Sequence, residues 1–315
     1  MKPRVLLCSL TAVTTALALQ PDIRTAVLIK VRDGVRQITS NGIPSHDVGQ
    51  FPNRHCPNTI SEQAYAFNVP AEPKVAAQPT PIGMASFGVA VNGVPFDPNA
   101  AEWWQGDRAS GWQYEPLGGG IDLGVDGSNA HVQPTGAYHY HGMPNELVNK
   151  LTGGKPAMAL LGWAADGFPI YGPWAYADAK DAKSELRKVK SSYQPKGTPR
   201  NGGPGGNADG TFVADYEYKA GLGDLDECNG RFGATPEFPQ GIYHYYITEQ
   251  FPFIPRMWKG TGDESFQKRG PPPGGGGPRR GGPGFRGPGG GQGGSRGGGD
   301  PDEALERALR GPFPF

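Results

Sequence analysis

The chain of 315 residues contains 51 glycines and 33 prolines, and its formal net charge at pH 7 is zero. This Gly and Pro content argues against a helix bundle and favours turn-rich β structure with disordered segments. A zero net charge gives no electrostatic reason to expect a nucleic-acid partner or an anionic membrane surface. The length allows one large domain or two small ones.

The N-terminus has the pattern of an export signal. Lys2 and Arg4 precede a largely apolar run over residues 5–19, which predicts a secretory signal peptide at 1–19 and a secreted protein. A buried N-terminal strand or an organelle transit leader is the alternative. Because no later apolar run approaches 18 residues, no membrane span is expected.

The first strands predicted after the signal form a hairpin. Residues 26–32 and 35–39 flank Asp33-Gly34, a pair typical of a two-residue turn. Further Asn-Gly and Asp-Gly pairs lie between short strand-like runs. This pattern predicts a mainly β fold, an antiparallel sandwich or barrel-like single domain over residues 20–269 with long Gly/Pro-rich loops. No repeat of fixed period is visible, which disfavours a propeller or a solenoid.

The rest of the chain departs from this β pattern in three places. Residues 175–190 are rich in helix-favouring side chains and predict a short helix. Residues 270–299, rich in Gly, Pro and Arg, are expected to be disordered. Residues 300–315 form a tail with a marginal short helix. Arg-Gly runs can bind RNA, but polysaccharide is a more plausible partner for an exported protein.

The residues most suggestive of chemistry lie in Tyr138-His139-Tyr140-His141. Alternation along a strand puts both imidazoles on one face and both phenols on the other. His131 lies just upstream, and Gln133 to Ala137 can turn the chain back. An odd loop places His131 on the imidazole face, opposite His141, with Gln133 opposite His139; an even loop places His131 on the tyrosine face.

A fourth histidine, His244, lies far downstream in another aromatic strand at 241–248. Two interpretations remain open for this histidine set. Neutral imidazole is the commonest protein ligand for transition metals, which predicts a metal site. Alternatively, the rings are satisfied core histidines that bond to nearby backbone.

Four motifs in order resemble the YHYH family, and the likeness extends from about residue 38 to residue 258. They are Gly-Ala-Tyr-His-Tyr-His-Gly (136–142), Asp-Gly-Phe-Pro-Ile-Tyr-Gly (166–172), Leu-Asp-Glu-Cys-Asn-Gly-Arg (225–231) and Tyr-His-Tyr-Tyr (243–246). This family is known by its motif and implies no reaction. A partial resemblance to the two cupin metal motifs implies a ligand set of His139, His141, Glu146 and His244.

Several other residues are weaker candidates. His46, Asp226 and Glu227 are accessory candidates for the metal site or its general base, although a loop or turn role fits them equally. Cys56 and Cys228 remain after signal removal, and export predicts a disulfide between them worth about 3–5 kcal/mol. Two buried free thiols are the alternative.

Three functional hypotheses follow. The first is a secreted protein that binds a transition metal (Cu, Zn, Fe or Mn) through clustered histidines. The second is a metal-dependent oxidoreductase or hydrolase, and the third a metal-free carbohydrate-binding or surface protein. Residues 20–269 contain no Gly-x-Ser-x-Gly, and the sequence contains no phosphate-binding loop and no His-Glu-x-x-His, so hydrolases and nucleotide enzymes of those types are disfavoured.

Overall fold

The computed structural model describes residues 24–268. Short strands joined by long loops dominate this range. In chain order the strands are β1 (Val27–Arg32), β2 (Val35–Ser40), β3 (Tyr65–Pro70), β4 (Thr80–Pro81), β5 (Gly88–Ala90), β6 (Pro95–Phe96), β7 (Ala130–Val132), β8 (Tyr138–Tyr140), β9 (Leu160–Ala164), β10 (Pro169–Tyr171), β11 (Trp174–Tyr176), β12 (Leu186–Lys188), β13 (Tyr193–Pro195), β14 (Tyr216–Tyr218), β15 (Gly230–Gly233), β16 (Ile242–Tyr246) and β17 (Met257–Trp258). The helices are α1 (Asn145–Thr152) and single 3-10 turns at Trp104–Gly106, Arg108–Ser110, Val213–Asp215 and Glu264–Phe266.

The predicted N-terminal hairpin is confirmed. β1 and β2 pair antiparallel along their whole length. Asp33 and Gly34 have φ values of 51° and 73°, the left-handed region that a type I′ turn needs at both central positions. β3 adds to β2 and completes a three-stranded sheet. Alternate residues of β2 are buried, so one face of this small sheet packs on the remainder of the protein.

The central element is an eight-stranded sheet in the order β15-β16-β10-β9-β5-β6-β8-β7, which curls into a half-barrel. The mainly β prediction is therefore confirmed. The pairing is not antiparallel throughout, because β6 runs parallel to β8 and β10 runs parallel to β16. A parallel pair requires a long crossover, and residues 97–137 and 172–241 supply those two connections.

The middle of this sheet is the best-buried part of the protein. All residues of β5 and β9 are buried, so both faces of the sheet are covered there. Gly162 of β9 pairs with Ala90 of β5, and a Cβ at Gly162 would lie 2.1 Å from the carbonyl oxygen of Val89. This close approach requires glycine. The outer strands on both sides of the sheet are therefore joined to a tightly packed centre.

The helix predicted at 175–190 is wrong. β11 and β12 form an antiparallel hairpin there. In the turn between them, the side chains of Asp178 and Asp181 accept N–H groups from Lys180 and Lys183, both at 2.8 Å. Such local side-chain bonds compete with helical hydrogen bonding. The described residues instead form an α-helix at Asn145–Thr152.

The predicted Cys56–Cys228 disulfide is also wrong, since both residues are buried free thiols. Cys56 Sγ donates to the carbonyl oxygen of Val132 in β7, at 3.4 Å. Cys228 immediately precedes β15, and burial raises the pKa of its thiol to about 12. β7 and β15 are the two opposite edges of the sheet, so the two thiols belong to different edge strands.

Within residues 24–268, none of the helices has the length and apolar character that crossing a membrane requires. The predictions of a signal peptide at 1–19, a disordered segment at 270–299 and a short helix within 300–315 lie outside the described residues.

Candidate metal centre

The turn that leads into β7 is held by one carboxylate. Asp126 Oδ1 accepts the backbone N–H groups of Ser128 at 2.9 Å and Ala130 at 3.3 Å. Asn129 adopts a φ of 53°, a conformation that Asn tolerates better than most residues. The side chain of Asn129 donates to the carbonyl oxygen of Met143 at 2.9 Å. These bonds fix the start of β7 against the end of β8.

β7 and β8 pair so that His131 lies opposite His139. Of the two alternatives that the sequence left open, the odd loop is the one observed, because residues 134–136 form the loop and His131 lies on the imidazole face, opposite His139 and not His141. The predicted pairing of Gln133 with His139 is wrong by two residues: the N–H of Gln133 donates to Ala137 at 3.0 Å. A shift of two residues leaves each side chain on the same face, since strand side chains alternate with a period of two.

The three imidazoles form a compact cluster. The ring centroid of His139 lies 4.7 Å from those of His131 and His141, and the latter two are 4.9 Å apart. The Nε2 atoms of His139 and His141 are 3.1 Å apart. One ring nitrogen from each histidine lies within 4.8 Å of one from each of the others. Among the described residues, this is the one group of three or more His, Cys, Asp or Glu that meets this spacing.

Backbone contacts orient two of the rings. Nδ1 of His131 lies 2.9 Å from the carbonyl oxygen of Leu123, and Nδ1 of His139 lies 3.2 Å from that of Ala137. A carbonyl oxygen only accepts, so each Nδ1 carries the proton and each Nε2 presents a lone pair. A protein carbonyl on the outer nitrogen is the usual support of a metal-ligating histidine. Nδ1 of His141 is buried and has no hydrogen-bond partner among residues 24–268.

The surroundings keep the rings neutral. Burial lowers the pKa of His139 and of His141 well below 6.5, and a neighbouring imidazole lowers each further. Burial also lowers the pKa of His131, which is the partly exposed member of the cluster. Neutral imidazole is the form that binds metals. Burial therefore favours the neutral form of all three rings, and the cluster opens to solvent on the His131 side.

A carboxylate and an ammonium group that the sequence analysis missed lie beside the cluster. Asp97 directly follows Phe96, which is paired with Tyr140, so Asp97 is next in register to His141. Its Oδ2 contacts the ammonium of Lys268, while Oδ1 is buried without a hydrogen-bond partner in the part of the chain described. Burial raises the pKa of Asp97, and Lys268 opposes that shift. Neither residue lies in a recognisable motif, so only the parallel register reveals Asp97.

His46 does not join the imidazole cluster. Its Nε2 accepts the hydroxyl of Tyr140 at 2.6 Å, and its Nδ1 lies 2.7 Å from the carbonyl oxygen of Asp47. Since Tyr140 points to the opposite face from the histidines of β8, His46 is a partner of the tyrosine face. Glu146 is exposed in the first turn of α1 and also lies outside the cluster.

His244 lies in β16 and is fully buried. Its Nδ1 donates to the carbonyl oxygen of Ile242 at 2.9 Å, and its Nε2 accepts the hydroxyl of Tyr246 at 2.6 Å. β16 and β8 have four strands between them in the sheet, a path of about 24 Å along its surface. The cupin-like ligand set is therefore not brought together, and the third imidazole comes from His131.

Asp226 and Glu227 lie at the opposite edge of the sheet from the cluster. Both accept from the ammonium of Lys259, at 2.9 and 3.3 Å. Asp226 also accepts the hydroxyl of Tyr243 at 2.9 Å and the N–H of Cys228 at 3.0 Å. These bonds satisfy the carboxylate of Asp226, which forms the turn leading into the second hairpin, β15 and β16.

The amino-acid sequence around the cluster also identifies the protein family. The family model described as YHYH protein matches residues 66–260, which is more than half of the chain. The chain belongs to the YHYH protein family. Among curated proteins and among solved structures, none matches this YHYH protein. The matched range contains all three clustered histidines, and the family resemblance seen in the motifs is confirmed.

Proposed function

We propose that this YHYH protein is exported and binds one transition metal ion through His131, His139 and His141. The single observation that carries the metal proposal is the convergence of the three rings on one point, with the Nε2 atoms of His139 and His141 at 3.1 Å. Two nitrogens bound to one tetrahedral ion at 2.0–2.1 Å would be about 3.3 Å apart. The spacing therefore fits shared coordination with little movement.

A metal-free arrangement is the competing interpretation. His141 can donate from Nε2 to His139 across the same 3.1 Å. That tautomer, however, leaves the buried Nδ1 of His141 as an acceptor without a donor, which costs about 1–3 kcal/mol. With an ion on Nε2, the proton of His141 moves to Nδ1, where the backbone carbonyl of Asp97 or a water molecule is available to accept it.

The ligand set favours some ions over others. Three neutral imidazoles suit zinc, copper, iron and nickel, whereas manganese prefers carboxylate oxygens. Copper(II) and zinc bind nitrogen sites more tightly than iron(II) or manganese. We therefore favour zinc or copper among the candidate ions.

The opening on the His131 side supports the enzyme hypothesis as a second candidate. Three protein ligands with one position left for water or substrate is the pattern of catalytic zinc, whereas structural sites have four protein ligands. Asp97 lies beside the cluster with an unpartnered oxygen and is suitably placed to accept a proton from a bound water. Storage or delivery of the ion requires only that the cluster is accessible to solvent on the His131 side, and no proton acceptor.

Elemental analysis of the purified protein tests the metal proposal. We expect about one zinc or copper ion per chain, and we expect cobalt added after chelation to give the visible absorption of a tetrahedral site. A protein that retains no ion and takes up none of zinc, copper or cobalt at micromolar concentration contradicts the proposal. N-terminal sequencing of protein recovered outside the cell tests export, for which we expect a start near residue 20.

A further inference from the structure

The strand order of the eight-stranded sheet has the same pattern from either end. From one edge, β7 pairs antiparallel with β8, β8 parallel with β6, and β6 antiparallel with β5. From the other edge, β15, β16, β10 and β9 pair in the same three ways. β5 and β9 join antiparallel in the middle. The sheet therefore consists of two four-stranded halves related by an approximate twofold axis between β5 and β9.

The turns inside the two halves match in detail. In Asn92-Gly93 the glycine N–H donates to Ala90 at 2.8 Å, and in Asp166-Gly167 it donates to Ala164 at 2.9 Å. The first residue of each turn bonds to a tyrosine of the neighbouring parallel strand: Asn92 Nδ2 donates to the hydroxyl oxygen of Tyr140 at 2.9 Å, and the hydroxyl of Tyr245 donates to Asp166 at 2.5 Å.

The outer hairpins match in the same way. Asp126 and Asp226 each accept the N–H groups two and four residues further on, at 2.9 and 3.3 Å and at 3.0 and 3.1 Å. Asn129 and Asn229 have φ values of 53° and 54°. The sequence hides this repeat because the hairpin loops differ in length, spanning residues 134–136 in one half and 234–241 in the other.

The registers assign a counterpart to each clustered histidine. His131 pairs with His139 as Arg231 pairs with His244, and the next residue on each imidazole face completes the set. The counterparts of His131, His139 and His141 are thus Arg231, His244 and Tyr246.

In this second set, the side chains bond to one another and to the backbone, and no free nitrogen lone pairs are left to coordinate a metal ion. The lone pair of His244 Nε2 accepts the hydroxyl of Tyr246 at 2.6 Å. The guanidinium carbon of Arg231 lies 5.6 Å from the centre of the Tyr246 ring, and its Nη2 donates to Tyr176 at 2.7 Å. A fixed cation occupies the place of the third ligand, so this set does not accept a metal ion.

We infer that Arg231, His244 and Tyr246 form a converted copy of the metal centre, and that Arg231→His with Tyr246→His creates a second metal site. Only these two side chains differ between the sets. The backbone support already exists, because the carbonyl oxygen of Ile242 holds Nδ1 of His244 as that of Ala137 holds Nδ1 of His139.

The charges near the second set favour this conversion. The ring of Tyr171 lies 5.3 Å from that of His244, and its hydroxyl donates to Glu237 at 2.6 Å. Tyr171 occupies the position of Asp97 in the other half. Removal of Arg231 therefore takes away the cation that packs on the Tyr246 ring and leaves the carboxylate of Glu237 bonded to Tyr171.

Zinc titration of the purified protein after chelation tests the inference, which rests on the proposed metal function of the first half. We expect one zinc per chain in the parent and two in Arg231→His/Tyr246→His. Adding His139→Ala and His141→Ala to that variant is expected to return the count to one. If the parent binds none but the Arg231→His/Tyr246→His variant binds one, the first-half proposal fails and the inference stands. A folded variant with no additional zinc overturns the inference.

A reciprocal exchange keeps the test decisive if that variant does not fold. His131→Arg with His141→Tyr installs the second set in the first half, where Arg and Tyr should contact each other and His139 should accept the new hydroxyl. We expect the double variant to bind no zinc and to unfold at a higher temperature than either single variant. A double variant no more stable than the single variants contradicts the equivalence of the two sets.

Discussion

The two faces of β8 contrast in how their polar atoms are satisfied. On the tyrosine face, the hydroxyl of Tyr138 donates to Asp126 at 2.7 Å, and that of Tyr140 bonds to Asn92 at 2.9 Å and His46 at 2.6 Å. On the histidine face, the Nε2 atoms of His139 and His141 face each other at 3.1 Å, and Nδ1 of His141 has no hydrogen-bond partner among residues 24–268. On the tyrosine face, every hydroxyl has a hydrogen-bond partner. On the histidine face, ring nitrogens remain available to coordinate a metal ion.

The second hairpin shows which face the fold requires. Tyr243 donates a hydrogen bond to Asp226, as Tyr138 does to Asp126. Tyr245 is hydrogen-bonded to Asp166, as Tyr140 is to Asn92. The tyrosine face is thus present in both halves, whereas the histidine face differs between them. We conclude that the tyrosine face stabilises the sheet and that the histidine face is free to carry chemistry.

The largest expected effect is the loss of metal from the histidine face. In His139→Ala/His141→Ala, bound zinc or copper should fall from about one per chain to nearly none, because two of three ligands are gone. Elemental analysis and circular dichroism together measure this. His46→Gln is the matched control, since His46 contacts only the tyrosine face. Equal metal content in the double variant and the parent would contradict the assignment.

The tyrosine face should respond in stability and not in metal content. Asp126→Ala removes the acceptor of a tyrosine hydroxyl and of the N–H groups that form the turn. We expect the free energy of unfolding to fall by about 2–3 kcal/mol, because partly buried donors lose their partner. Urea unfolding measures the change. Asp226→Ala should have a similar effect at the other edge, and a loss confined to one edge would show that the two hairpins differ structurally.

Acid should weaken the metal-free protein through its buried histidines. Burial lowers the pKa of His244 to about 4, whereas an unfolded histidine titrates near 6.5. Between these values the unfolded state binds the additional proton, so stability is present above pH 6.5 and is lost as pH falls toward 4. His244→Gln retains an acceptor for Tyr246 but does not titrate. Its unfolding free energy should depend less on pH, by up to about 1.4 kcal/mol per unit. Identical pH slopes for variant and parent would contradict this.

The smallest expected effect concerns the charge beside the cluster. The ammonium of Lys268 lowers the pKa of all three clustered histidines and should repel a metal ion in the same way. Lys268→Gln removes this repulsion, so zinc affinity should rise by about threefold to tenfold at a pH above the raised pKa of Asp97, where that carboxylate stays ionised. Calorimetric titration measures it. Lys259→Gln, at the other edge of the sheet, should leave the affinity unchanged.

Local patterns in the sequence predicted the features that depend on neighbours in the chain. The Asp33-Gly34 turn, the shared face of His139 and His141 and the mainly β class all follow from turn chemistry and strand alternation. The face of His131 depended on the parity of the hairpin loop, which the sequence left open and which the three-residue loop at 134–136 decides.

Features that depend on distant pairing were not predictable in this way. Two parallel pairings determine that Asp97 is next in register to His141 and that four strands lie between His244 and the strand of the cluster. The pairing of β11 with β12 outweighed the helical composition of residues 175–190. The predicted disulfide was wrong for the same reason. An even number of cysteines does not indicate which edges of the sheet the thiols occupy.

The two free thiols also determine how the protein should respond to its chemical surroundings. With Cys56 and Cys228 as free thiols at opposite edges, no disulfide links residues 24–268, and non-covalent contacts hold the half-barrel together. Dithiothreitol or glutathione therefore has no cross-link between these two thiols to open, and the melting curve of the metal-free protein should be the same with and without either reductant.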